Sequence, residues 1–255
     1  VEDSSKTNYL EGSEKFYDLF GEKDDVPFYL AQARRRGGPA LELGVGTARL
    51  AIQLARAGVE VWGIDSSSHM LKAAEANLAG EAKDVRLRVH LSHADARDFE
   101  LPTRFALIYF PSFSFDHLLA RDDQLKALRN VRRHLAPGGI YAFDLAHIPE
   151  IKVGQGWFVE RRPYGERRTV VRIGYHRTNA ERRLMSMNIW YELYEDGRML
   201  ERYFEGSDVY IHTPEGIRGL LSESGFEVAE LYGGHRGEPF TADSHMMVIV
   251  ANPRG

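Results

Sequence analysis

From residue 40 onward, short apolar runs alternate with stretches whose apolar positions recur three and four residues apart. The runs suit strands buried on both faces, and the stretches suit helices that cover them. Strands are predicted at 40–43, 59–64, 86–91, 105–110 and 140–144, and helices at 47–57, 67–79 and 122–135. The last helix is followed by Pro137-Gly138-Gly139, where proline cannot continue a helix and glycine accepts a left-handed backbone. Strand and helix in strict alternation imply βαβ units around a parallel sheet.

At about residue 151 the rhythm changes. Segments 157–159, 167–176, 185–193 and 198–211 alternate with turns, and Glu195-Asp196-Gly197 marks a hairpin. A small antiparallel sheet is therefore expected as an insertion, either closing over a substrate or pairing across a dimer axis. Thr213-Pro214-Glu215 then opens a helix at 214–223, and strands at 226–231 and 246–250 complete a doubly wound, seven-stranded α/β sheet. Upstream, 13–36 has helical spacing broken by the turn-like 21–27. Its final Arg34-Arg35-Arg36 suits the negative end of a helix dipole. The expected organisation is N-terminal helices over 1–39, half of the core over 40–150, the antiparallel insertion over 151–212, and the end of the core over 213–255.

Composition narrows the chemistry. With 255 residues, 43% hydrophobic and 27% charged, the chain suits one globular domain with an elaboration. A net charge of -4 gives no general attraction to polyanions, so a small-molecule partner is expected and nucleic acid is not. The absence of cysteine excludes disulfides, thiolate metal sites and cysteine nucleophiles. No run approaches the roughly 18 apolar residues of a membrane span, and the polar start is unlike a signal peptide. A cytoplasmic protein is the expectation, with no membrane partner.

The chemistry-bearing segment is Leu41-Glu42-Leu43-Gly44-Val45-Gly46-Thr47-Ala48-Arg49. Gly44 and Gly46 follow a strand and open a helix, which lets backbone N–H groups approach a ligand. A dinucleotide loop would carry a third glycine where Arg49 stands, and Glu42 would repel a pyrophosphate. The same carboxylate would hold a ligand with an ammonium group, as on the amino-acid end of S-adenosylmethionine. Asp65, followed by Ser66, ends the next strand 19 positions after Gly46, where a ribose needs an acceptor. In His93-Ala94-Asp95-Ala96-Arg97-Asp98, Asp95 is placed to accept from an adenine amine, and Met70 to flank the adenine or pack as core.

Glu42 to Gly46, Asp65, Asp95-Ala96, 105–110 and 135–139 together resemble the ordered motif series of class I S-adenosylmethionine-dependent methyltransferases, except that Ala48 replaces a commoner glycine. The resemblance implies a Rossmann-like methyltransferase sheet and S-adenosyl-L-methionine as cofactor. Phe16-Tyr17-Asp18-Leu19-Phe20, Ser114-Phe115-Asp116-His117-Leu118 and the late β-insertion are similar to amino-sugar N,N-dimethyltransferases and, more loosely, to glycine N-methyltransferase. That similarity implies Tyr17 and Tyr9 at the cofactor's methionine end and His117 facing the acceptor. Phe110, with Phe113 and Phe115, would shape the pocket near the sulfonium.

Several relatives are excluded. A cytosine-C5 enzyme needs the missing cysteine, and base-amine enzymes need a polar residue where Phe110-Pro111 stands. A magnesium-dependent O-methyltransferase needs clustered oxygen ligands, whereas only Asp144 stands at the expected place, so no metal is expected. The sequence thus points to methylation of a small-molecule amine by in-line displacement, with O-methylation or a non-catalytic cofactor-binding module as competitors.

Overall fold

The two hydrophobic rhythms separate into two sheets. The structure, a computed structural model, describes residues 8–9, 13–20, 24–148 and 154–255. In chain order its elements are β1 (Asn8–Tyr9), α1 (Glu14–Tyr17), α2 (Val26–Arg36), β2 (Ala40–Leu43), α3 (Arg49–Arg56), β3 (Val61–Asp65), α4 (Ser68–Ala79), α5 (Lys83–Arg86), β4 (Val89–His93), β5 (Phe105–Phe110), α6 (Arg121–His134), β6 (Leu135–Ala146), β7 (Gly154–Tyr164), β8 (Arg168–Asn179), β9 (Leu184–Glu195), β10 (Arg198–Tyr210), α7 (Pro214–Glu223), β11 (Phe226–Tyr232) and β12 (Met246–Pro253). A single 3-10 turn, Ser114–His117, lies between β5 and α6. The chain divides into two units, Val1–Gly21 with Glu150–Ile211, and Glu22–Pro149 with His212–Gly255.

In the larger unit the sheet order is β11-β12-β6-β5-β2-β3-β4, with β12 antiparallel to both neighbours and the remaining pairs parallel. Successive residues of a strand face opposite sides, and the sequence uses both. Leu41, Leu43, Ile108 and Phe110 join the core with buried residues of α6 and α7. Ala40, Leu107 and Tyr109 pack on the other face with residues of α2, α3 and α4. Helix starts are capped as the sequence suggests: Ser67 Oγ accepts from Met70 N–H at 3.3 Å, and Thr213 Oγ1 from Gly216 N–H at 2.9 Å. The chain runs from β2 outward to β3 and β4, then returns to β5 on the other side. The sheet therefore reverses direction between β2 and β5, where open α/β sheets place their ligands.

The smaller unit carries the order β1-β10-β9-β8-β7, all antiparallel. Phe16 and Phe20 pack against Val170, Tyr191 and Leu193, and the Phe16 ring meets the edge of Tyr164 at 5.5 Å. These ring contacts fasten α1 to the sheet.

Three segments differ from the sequence reading. Strand β4 begins at Val89 rather than 86, because Lys83–Arg86 forms one helical turn that buries Val85. Strand β6 begins at Leu135, so Pro137-Gly138-Gly139 lies inside it. There the register against β5 shifts and Gly138 adopts φ +75. Strand β7 spans 11 residues, well beyond 157–159. Gly154-Gln155-Gly156 opens it without an apolar side chain, and Glu160, Arg161 and Arg162 put charge on both faces of its second half, with Glu160 paired to Arg172, so apolar alternation did not mark either end. Among the described residues no helix is long and apolar enough to cross a membrane.

Candidate active site

The loop leaving β2 takes a left-handed backbone three times: Gly44 at φ +62, Gly46 at +54 and Ala48 at +61. For two of these glycine removes the steric cost. Ala48 keeps the glycine-like conformation without the glycine, at about 1–2 kcal/mol. A Cβ on Gly44 would lie 3.1 Å from the Phe110 ring and 3.3 Å from Ser114 Cβ, so the loops after β2 and β5 touch here. A Cβ on Gly46 would meet nothing closer than 4.0 Å, which leaves that backbone open to a ligand.

Asp65 joins this loop to the next helix. Its Oδ2 accepts from Gly46 N–H and its Oδ1 from Ser67 N–H, each at 2.8 Å. Burial raises its pKa, and those backbone donors pull it back. Asn77 Nδ2 donates to Thr47 O at 3.0 Å, a further tie from α4. Ser66 is exposed, with its carbonyl 2.9 Å from His93 Nε2, and Met70 is buried. Ala94 N–H donates to Asp65 O at 3.1 Å, which brings the Asp95 segment beside the end of β3. Arg97 clamps Asp95, with Nε on Oδ1 at 2.9 Å and Nη2 on Oδ2 at 2.7 Å, and also reaches Asp123. Asp95 Oδ1 also accepts from the Arg97 backbone N–H at 2.8 Å. Ala96 packs partly buried against the core.

Glu42 stands differently from its sequence expectation. An ionised carboxylate open to a ligand was expected beneath the loop. The side chain is instead buried on the α2 side of the sheet, in register with Tyr109, whose Oη donates to Glu42 Oε2 at 2.9 Å. Burial pushes Glu42 up to about 8, against the pull of Tyr109 and Arg49. Arg49 grips Asp25 in two prongs, at 2.9 and 2.5 Å, so its guanidinium is already engaged by α2's N-cap residue.

Sequence reasoning missed a second part of this layer. Asp144, fully buried on β6, accepts from Tyr29 Oη at 2.6 Å, from His235 Nε2 at 3.2 Å and from Phe113 N–H at 2.7 Å. Burial and then the Asp144 charge hold the Tyr29 phenol well above its usual pKa, so it stays a donor. Phe113 and its neighbour Ser112 are non-glycine residues at φ +59 and +60. That pair costs about 2–4 kcal/mol at 1–2 each. Asp144 thus helps hold a strained turn immediately after β5. The available signal was one acid inside the apolar run Ala142-Phe143-Asp144-Leu145.

His117 ends the 3-10 turn, half-buried, and Phe110 lies buried with Phe115 edge-on at 6.1 Å. Asp116 is wholly buried. It accepts from Ala146 N–H at 2.8 Å, and its other oxygen stands 3.9 Å from buried His212 Nε2. Burial and then Asp144 push its carboxyl well above the usual range. Gly44, Gly46, Asp65, Phe110 and the His117 turn are therefore gathered around the point where the sheet reverses. Tyr17 lies half-buried on α1 in the antiparallel unit. Tyr9 pairs its backbone with Glu205 in β1, and its side chain lies outside the described residues.

Residues 40–139 match the methyltransferase domain family. The sequence is 26% identical over 215 residues to the cypemycin N-terminal methyltransferase of a Streptomyces species, covering 84% of this chain and 82% of the relative. It is 24% identical over 170 residues to dTDP-4-amino-2,3,4,6-tetradeoxy-D-glucose N,N-dimethyltransferase of Saccharopolyspora spinosa, covering 65% and 67%. Its fold is similar to that of an S-adenosylmethionine-dependent methyltransferase from Clostridium acetobutylicum, with a TM-score of 0.80, 20% identity, and 95% and 96% of the two chains covered. The open glycine loop beside a strand-end acid suits a nucleoside with an amino-acid tail, which agrees with the methyltransferase domain match over residues 40–139 and with S-adenosylmethionine as the methyl donor.

Proposed function

We propose that this enzyme methylates an amine nitrogen of a small molecule. The observation that carries the reading is the strained turn after β5, which sets half-buried His117 beside the reversal point of the sheet. One relative above is named an amino-sugar N,N-dimethyltransferase and the other an N-terminal methyltransferase, which agrees with it.

In this reading the backbone at Gly44 and Gly46 and the Asp65 carboxylate hold the nucleoside, with Asp65 accepting from ribose hydroxyls. Asp95 and Ala96 face the adenine with Ser66 and Met70 at its margin, and Phe110 walls the sulfonium side. Glu42 answers the ammonium through its buried network, which Arg49 supports. S-adenosylmethionine supplies an electrophilic methyl on sulfur, so the protein's work is alignment and exclusion of water. An amine must shed a proton before it attacks, and His117 accepts it, since histidine is the side chain that titrates near neutral pH. The test is incubation with methyl-labelled cofactor and a matched panel of amines and alcohols. Label on nitrogen is expected; label on oxygen alone, or binding without transfer across the panel, overturns the proposal.

We infer in addition that the antiparallel sheet pairs with a second copy of the chain. Strand β7 is an edge of that sheet, and Trp157 and Val159 on it are 66% and 67% exposed. Such an edge invites pairing.

A further inference from the structure

The opposite end of the seven-stranded sheet carries a cavity of about 570 Å³ lined by Arg104, Arg129, Arg132 and Arg133, with Pro137-Gly138, Ser224 and Pro253 among its other walls. Arg104 precedes β5, Leu135–Ala146 begins there, and β12 ends there at Pro253. The cavity therefore sits at the amino ends of the parallel strands. The length of β5, six residues or ~20 Å, separates it from the glycine loop.

Four guanidinium groups share this space with little to neutralise them. Arg133 pairs with exposed Glu100 at 3.0 Å. Arg132 donates to the Arg254 carbonyl at 2.8 Å, and Arg104 is 3.5 Å from the Leu135 carbonyl. Among the described residues neither forms an ion pair with a carboxylate. Glu223 feels Arg129 but is hydrogen-bonded to Arg121. A Cβ on Gly225 would lie 2.8 Å from Arg132 Nε, so the missing side chain lets Arg132 lie across the backbone and fixes its direction.

Favourable placement at the end of α6 would account for Arg129, Arg132 and Arg133. It does not account for Arg104, which comes from outside that helix. Nor does it account for Ser224, 4% exposed and on the cavity wall, whose Oγ has no hydrogen-bond partner. A buried hydroxyl without a partner on the wall of a cavity lined by four guanidinium groups suits an oxyanion with several oxygens.

We propose that this cavity binds a pyrophosphate group, either free or carried by a nucleoside diphosphate. The guanidinium forks grip its oxygens, and Ser224 Oγ donates to one of them. The site is separate from methyl transfer and does not depend on the acceptor being an amine.

The test uses the full chain saturated with S-adenosylhomocysteine, so that the methyl-transfer site is filled. Calorimetric titrations with inorganic pyrophosphate, thymidine diphosphate and thymidine distinguish the sources. Saturable binding of both phosphates, but not of thymidine, is expected. Equal affinities identify the free group as sufficient, and tighter thymidine diphosphate shows that the nucleoside adds contacts. Arg104→Gln and Arg132→Gln should each weaken binding about tenfold or more, the effect of losing one charge-assisted contact. Ser224→Ala should weaken it less while leaving the melting temperature unchanged. No saturable binding up to about 10 mM, a range that captures even weak sites, overturns the proposal. So does equal binding by both folded arginine variants, or competition with S-adenosylhomocysteine.

Discussion

Replacing Glu42 by Gln reads the buried polar layer directly, because the variant keeps an acceptor for the Tyr109 hydroxyl and removes the proton equilibrium. Burial carries the folded-state pKa from 4.5 to about 8, a span of about 3.5 pH units. At about 1.36 kcal/mol per unit the full span corresponds to ~5 kcal/mol, and relaxation around the site lowers the expected effect to about 2–3 kcal/mol. Unfolded Glu42 loses its proton near 4.5, whereas folded Glu42 keeps it to about 8, so between these values the folded state binds more protons. Its contribution is fully present below 4.5 and is lost as pH rises through 8. The wild type and Glu42→Gln should therefore melt within a few degrees of each other at pH 5 and diverge steadily above it. By pH 8 the variant should be more stable, with a melting temperature higher by about 5–10 °C at 2–4 °C per kcal/mol for a chain of this size. Differential scanning fluorimetry across pH 5 to 8 measures this. A difference independent of pH, or a less stable variant at pH 8, refutes the reasoning, because it would mean that Arg49 keeps Glu42 ionised in the folded state. S-adenosylhomocysteine, which brings an ammonium group to the loop, should narrow the gap.

Asp144→Leu should cost about 3–5 kcal/mol in urea unfolding, since it orphans the Phe113 N–H and Tyr29 hydroxyl that Asp144 accepts from. It should also lower kcat more than it weakens cofactor binding; an unchanged kcat in the folded variant would separate Asp144 from the β5 turn. Ala48→Gly exchanges about 1–2 kcal/mol of left-handed strain for about 0.5–1 kcal/mol of chain entropy, so denaturant unfolding should show a gain of up to ~1 kcal/mol. His117→Gln should reduce kcat about a hundredfold near neutral pH and leave S-adenosylhomocysteine affinity unchanged by calorimetry. A Trp157→Asp, Val159→Asp double variant should sediment as a monomer at concentrations where the wild type sediments as a dimer, and identical sedimentation would count against pairing through β7.

Much of the fold was legible because its signals are local. The helices at 47–57, 67–79 and 214–223 and the strands at 40–43 and 105–110 reappear with nearly the same ends, since periodicity, capping and glycine turns act over a few residues. Gly44, Gly46 and Asp65 were singled out from equally local signals, and the structure brings them together at the ends of β2 and β3. The antiparallel strands were placed but β7 was cut short, because its charged C-terminal half and its Gly-Gln-Gly start carry no apolar alternation, although it pairs with the adjacent strand β8.

The sequence by itself determined the succession of helices and strands along the chain, the cofactor class and the exclusion of cysteine chemistry. Tertiary structure alone decided that Glu42 is a buried acid beside Tyr109, 67 residues away, that Asp144 meets Tyr29 across 115 residues, and that arginines from before β5 and from α6 share one cavity. The physical reason is register. Periodicity tells which face of a strand is buried, but only the pairing of whole strands sets which buried polar group stands opposite which.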